Sequence, residues 1–151
     1  MRLTRESEYA LLGLAFVASR PSGEVVPLAE IAAARGLPRT FLAKTFQKLA
    51  RHGVLVAHRG PGRGYVLARP PETIAVREVL EAVEGPGFFQ RCFFWNNSCS
   101  NTNPCLLHHL VIGFVPDVRA ALERITLADL ATGAAGELPG GDSETKTGAM
   151  P

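Results

Sequence analysis

The chain has 151 residues, 46% of them hydrophobic, and a formal net charge of +2. That suits one domain of ordinary size, or a small domain with an extension, and bulk charge alone does not announce a nucleic-acid partner. No apolar run approaches the length of a membrane span, and three cysteines are an odd count for a disulfide scaffold.

In chain order, residues 4–20 read as a helix. Thr4 can cap it, and Tyr9, Leu11, Leu12, Leu14, Ala15, Phe16 and Val17 form a broad apolar face that ends at Pro21-Ser22-Gly23. Glu8 is the odd member. It is either a solvent-facing carboxylate or one that reaches a metal.

Residues 27–51 read as two helices joined by a tight turn. Leu28, Ile31 and Ala32 face inward from the first, Gly36 supplies the turn, and Phe41, Leu42, Thr45, Phe46 and Leu49 follow in the second. A helix-turn-helix and an ordinary helical hairpin both satisfy that pattern. The outer face of the second helix would carry Arg39, Thr40, Ala43, Lys44, Gln47 and Lys48. These are residue types that bond base edges and phosphates.

Residues 54–57 and 65–67 read as strands around Arg59-Gly60-Pro61-Gly62-Arg63-Gly64, a glycine-rich turn. A helix-turn-helix followed by a hairpin with a basic tip is a winged helix. From Arg35 to Arg69 the chain carries eight Arg or Lys residues and no Asp or Glu, a basic patch masked by acids elsewhere.

After Pro70-Pro71, residues 73–84 form an amphipathic helix through Ile74, Val76, Val79, Leu80 and Val83. Gly85-Pro86-Gly87 then breaks the chain. All three cysteines follow as Cys92, Cys99 and Cys105, spaced C-x6-C-x5-C among turn-forming Asn and Ser residues. Asn103 and Pro104 would open the next helix, with Cys105 in its first turn. Three thiolates on one polar loop can grip an iron–sulfur cluster, or zinc in a Cys3His set with His108. A disulfide with a spare thiol and three unrelated cysteines are the remaining readings. Residues 104–124 read as a long helix whose apolar side includes Leu110, Val111, Phe114, Val118 and Leu122, a dimerisation surface that Pro116 should kink. Residues 126–130 begin another helical turn, and 132–151 read as a disordered tail.

The division expected is a winged-helix DNA-binding domain over 1–86, a cluster loop over 87–105 and a dimerisation region over 104–131. The fold class expected is mainly α with a small β-hairpin wing. With no acid–base pair or nucleophile–base arrangement marked, the chain does not read as an enzyme. Its structured opening without a signal peptide suggests a cytoplasmic protein with reduced thiols.

The chain resembles the bacterial iron–sulfur transcription regulators of the IscR, NsrR and RirA type over residues 1–131. The resemblance rests on Met1-Arg2-Leu3-Thr4 with Tyr9-Ala10, on Val26-Pro27-Leu28-Ala29-Glu30-Ile31-Ala32, and on Arg59-Gly60-Pro61-Gly62 with Gly64-Tyr65. It extends through Ile74-Ala75-Val76, Cys92, Cys99 and Cys105 to Ile125-Thr126-Leu127. It implies a homodimeric winged-helix protein that binds double-stranded DNA; two winged helices related by a two-fold axis would meet two half-sites, so the operator should be near-palindromic. The resemblance also implies one [2Fe–2S] or [4Fe–4S] cluster per subunit, whose state controls promoter binding. From the outer face of the second helix and the basic wing tip, Arg39, Thr40, Lys44, Lys48, Arg59 and Arg63 would meet DNA. Two candidates for a fourth cluster ligand are present: His108, where IscR-like members place a histidine, and Glu8, where NsrR-like members place an aspartate from the partner subunit. Glu8 is the preferred one. The first cysteine gap is one residue longer than in IscR-like members, and Arg63 stands where the family commonly has glycine. A zinc-stabilised winged helix without sensing is the alternative.

Overall fold

The computed structural model describes residues 3–95 and 99–133. The tail beyond residue 133, and Asn96, Asn97 and Ser98 of the turn-forming run, lie outside the described residues. Helix α1 (Arg5–Ser19) begins where Thr4 caps it, the hydroxyl accepting from the Ser7 N–H at 3.4 Å. It is the central helix, and α2 (Leu28–Arg35), α3 (Arg39–Arg51), α4 (Val76–Glu84) and α6 (Leu127–Thr132) all pack on it. Gly13 permits this: a Cβ there would stand 2.8 Å from Phe46 Cζ, so α3 can cross only a residue with no side chain. Ala10, Leu14, Ile31, Leu42, Phe46, Leu49 and Val79 fill the shared core.

The tight turn sits where the sequence places it. Gly36 adopts φ 61°, and the Leu37 N–H returns to the Ala32 carbonyl at 2.9 Å. The following hairpin is the wing: β1 (Leu55–His58) pairs antiparallel with β2 (Gly64–Leu67), from Leu55 opposite Leu67 to His58 opposite Gly64. It is tied to the domain by a bridge between Val26 and Tyr65, whose two backbone hydrogen bonds are each 2.9 Å. The Tyr65 ring meets Phe46 edge-on at 5.2 Å. The wing is thus registered against the buried side of α3.

Two helix starts differ from the sequence expectation. Residues 73–75 are not in α4. A 3-10 turn spans Pro71–Thr73; the Ile74 carbonyl then accepts from Leu127 N–H at 3.0 Å, and Val76 N–H donates to Ile125 at 2.8 Å. Those long-range bonds take the backbone groups that an earlier helical turn would use. Helix α5 spans His108–Arg124 and continues through Pro116. Asn103 is not its cap and Pro104 is not its first residue. Residues 100–103 instead close their own turn, with Ser100 and Asn103 exchanging backbone bonds at 3.2 Å, and a second turn joins His108 N–H to the Cys105 carbonyl at 3.0 Å.

The apolar stripe of α5 also divides. Leu122, with Ile125 and Leu130, packs on Val76, Leu80 and Phe88 of its own chain. Arg77 of α4 is paired with Glu81 and with Glu123 of α5, fastening that half further. Leu106, Leu110 and Ile112 at the other end remain exposed, Leu106 by 96%. No helix among the described residues is long and apolar enough to cross a membrane.

Candidate metal centre and nucleic-acid interface

Between α3 and the wing runs a cleft of about 1110 Å³. Arg39, Thr40, Gln47 and Arg51 line it from the helix, and His58, Arg59 and Arg63 from the hairpin. No acidic side chain lines it. A concave surface of one sign, with guanidinium and amide groups on both walls, suits a polyanion presenting phosphates and base edges. Ala43 and Ala50 lie on the same helical face and are small enough to let the α3 backbone approach a groove.

The expected DNA residues fall into three groups. Arg39, Thr40, Arg59 and Arg63 are brought together in the cleft. Lys44 is exposed but is not among the lining residues. Lys48 is turned away: its ammonium lies 2.9 Å from Glu6 Oε1 and donates to the Val83 carbonyl at 3.1 Å. Its helical position borders the buried face, and the acid on α1 draws it there. Arg51 and His58 line the cleft without having been singled out. Arg51 carried a signal, since it lies twelve residues after Arg39 in register with Ala43 and Gln47. His58 carried none, because a strand residue next to a turn takes its direction from the hairpin register.

The cysteine loop leaves α4 at Gly85, makes a 3-10 turn over Phe88–Gln90 with Phe88 buried, and reaches Cys92. Cys92 is buried, while Cys99 and Cys105 are partly exposed, and all three thiols are free. Their Sγ atoms lie within 4.8 Å of one another. Backbone N–H groups aim at the sulfurs: those of Trp95 and Phe94 hold the Cys92 thiol below the ordinary thiol value. The Cys105 N–H, 3.4 Å from Cys99 Sγ, draws that thiol down too, but burial and the neighbouring Cys105 and Cys92 side chains outweigh it and push it up. Sulfurs that crowd one another and collect N–H donors form a site that a thiophilic cation would relieve. The donor set therefore fits a metal or an iron–sulfur group.

His108 joins the trio at one edge. Its Nδ1 lies 3.2 Å from Cys99 Sγ, and its Nε2 lies 3.0 Å from Asn101 Oδ1, which orients the ring. His108 is buried, as the first residue of α5 packed over the loop. Glu8 is exposed on α1 and is not part of the sulfur group in its own chain. Asn101 escaped the sequence reading because an Asn among turn formers looks like any other.

Residues 3–133 match the family described as Rrf2, iron-dependent transcriptional regulator. Over 130 residues the chain is 35% identical to the HTH-type transcriptional regulator IscR of Yersinia pseudotuberculosis, covering 86% of this chain and 79% of that protein. The Escherichia coli protein of the same name is 34% identical, with 86% and 80% covered. Among solved structures, CymR, the global cysteine regulator of B. subtilis, superposes with a TM-score of 0.71 at 23% identity, over 87% of this chain and 97% of that one. T. potens IscR gives 0.69 at 23% identity, over 89% and 88%. At such identities the solved structures speak for the winged-helix fold alone. The family match runs from the first described residue to the last, so α3, the wing, the cysteine loop and α5 all fall inside it: the chain belongs to the Rrf2 family of DNA-binding transcriptional regulators.

Proposed function

We propose that the chain acts as a homodimer whose promoter binding is controlled by an iron–sulfur cluster, [2Fe–2S] or [4Fe–4S], held once per subunit by Cys92, Cys99 and Cys105. The observation that carries this is the gathering of three free thiols within 4.8 Å at the foot of α5. Relatives named IscR and a family described as iron-dependent support it. Such a cluster supplies a centre sensitive to nitric oxide, redox state, or the supply of iron or clusters. The chain's own groups do the rest: Cys92 anchors, the turn around Cys99 and Cys105 supplies N–H donors, and the exposed end of α5 offers the dimer contact. A two-fold pair of winged helices reads two half-sites, hence a near-palindromic operator. Arg39, Thr40, Arg59 and Arg63 are the cleft groups that would meet it. Lys44 would add a contact from the edge.

For the fourth ligand, His108 is supported by its contact with Cys99, and Glu8 would serve only from the partner subunit. The same contact supports a second reading, zinc in a Cys3His set without sensing. Anaerobic purification with metal and sulfide analysis separates them. Brown protein with iron and acid-labile sulfide, lost together with cluster-dependent operator affinity in Cys92→Ser, is the expected result. Colourless protein with one zinc per chain would replace the cluster reading.

A further inference from the structure

Lys48 lies on α3, the proposed recognition helix, yet spends all its described bonds on the other side of the domain. Its ammonium sits 2.9 and 3.1 Å from the two Glu6 oxygens and 3.1 Å from the Val83 carbonyl. Val83 is in the last turn of α4, where carbonyls lack helical partners. The next residue, Glu84, fastens the same junction from the opposite direction. Its Oε1 accepts from Thr4 N–H at 2.9 Å, from Thr4 Oγ1 at 2.8 Å and from Ser7 Oγ at 2.6 Å, at the start of α1. The Arg91 guanidinium donates to the Glu84 carbonyl, and Arg91 immediately precedes Cys92. Gly85, at φ 96°, is where the chain turns from α4 into the loop.

The cysteine loop, the end of α4, the start of α1 and the recognition helix therefore meet at one polar junction. We infer that Lys48 is a positioning residue and not a DNA contact: it latches α3 to the α4–α1 junction, through which the state of the cysteine loop sets how the recognition helix is presented. The regulatory half of this rests on the cluster reading above, and the positioning half does not. A partly exposed ion pair contributes little to stability, so the value of the contact lies in orientation. Discrete polar contacts in an unbroken chain are what such coupling requires, and only measured coupling establishes it.

The test uses full-length protein, an operator duplex and a non-operator duplex, under anaerobic conditions. Lys48→Met and Glu6→Gln are each expected to lower the operator to non-operator affinity ratio by roughly fivefold or more. The slope of log affinity against log salt should stay at the wild-type value, and Lys48→Arg, which keeps donors for both acceptors, should restore the ratio. If Lys48 were a phosphate contact, Lys48→Met would reduce the slope by about 0.9 per chain. Glu6→Gln, by freeing the ammonium, would then tighten both duplexes. Either result overturns the proposal. For the regulatory half, operator affinity is compared between as-purified and chelator-stripped protein. Wild type should differ between the two states and Lys48→Met should lose that difference; retention of the full difference by the variant overturns coupling through Lys48. Should wild type show no difference, the failure belongs to the cluster reading, and ratio and slope still decide whether Lys48 positions α3.

Discussion

Replacing Gly64 with alanine probes how the wing is aimed. Gly64 opens β2 and is buried under the chain that enters α2. A Cβ there would fall on the Val26 carbonyl, 2.6 Å from its carbon and 2.9 Å from Pro27 N. These are backbone atoms with no rotamer to move, so β2 and the Val26–Pro27 segment must part. The casualties are the two Val26–Tyr65 backbone bonds. At a net value of about 0.5–1.5 kcal/mol each, their loss should destabilise the domain by about 1–3 kcal/mol. That leaves most domains folded. The wing would lose its backbone tie to the segment entering α2, and Arg59 and Arg63 their fixed place across the cleft from α3. Urea unfolding and operator binding by fluorescence anisotropy check both consequences. The midpoint should fall and affinity should drop about tenfold, equivalent to about 1.4 kcal/mol. Gly87→Ala is the control, because a Cβ there meets nothing within 4 Å and φ is −91°. A Gly64→Ala protein with wild-type midpoint and affinity would show that the bridge does not orient the wing.

Other expectations follow from the same geometry. Arg59→Ala and Arg63→Ala should each weaken operator binding and, as phosphate contacts, lower the salt slope by about 0.9 per chain; an unchanged slope would remove them from the interface. Leu106→Asp with Leu110→Asp should give monomers in sedimentation, because these side chains are exposed where Leu122 is committed to its own chain; a stable dimer would place the contact elsewhere. Burial alone would raise the Glu84 carboxyl, but hydrogen bonds from Ser7 and Thr4, with the Arg91 charge, outweigh it and hold it below its ordinary range. Its stabilising contribution is therefore present above the unfolded carboxylate pKa and lost as pH falls through the depressed folded value. Glu84→Gln should flatten the acid limb of thermal stability, measured as Tm against pH; an unchanged limb would deny the carboxylate its role. Thr126→Ala should cost about 1 kcal/mol in urea unfolding by opening the capping box with Asp129, and no loss would mean the cap is redundant.

The sequence by itself carried whatever depends on near neighbours. The apolar period of α1 and α3, the left-handed Gly36, the glycine-rich turn of the wing and the close spacing of the cysteines are local constraints, written in order along the chain. Together they sufficed for the winged helix and for the thiol trio. What only tertiary structure decided concerns groups with two possible partners. Lys48 reads as one more cation on a basic face until Glu6 and the Val83 carbonyl are seen waiting on its other side. The stripe of α5 reads as one surface until α4 and the Phe88 turn take its far half. Asn103 and Pro104 make a plausible helix start, but the Ser100–Asn103 turn closes there instead and leaves His108 to begin α5 beside Cys99. In each case the local signal admits more than one outcome of similar energy, and the choice falls to residues distant in sequence that fold against it.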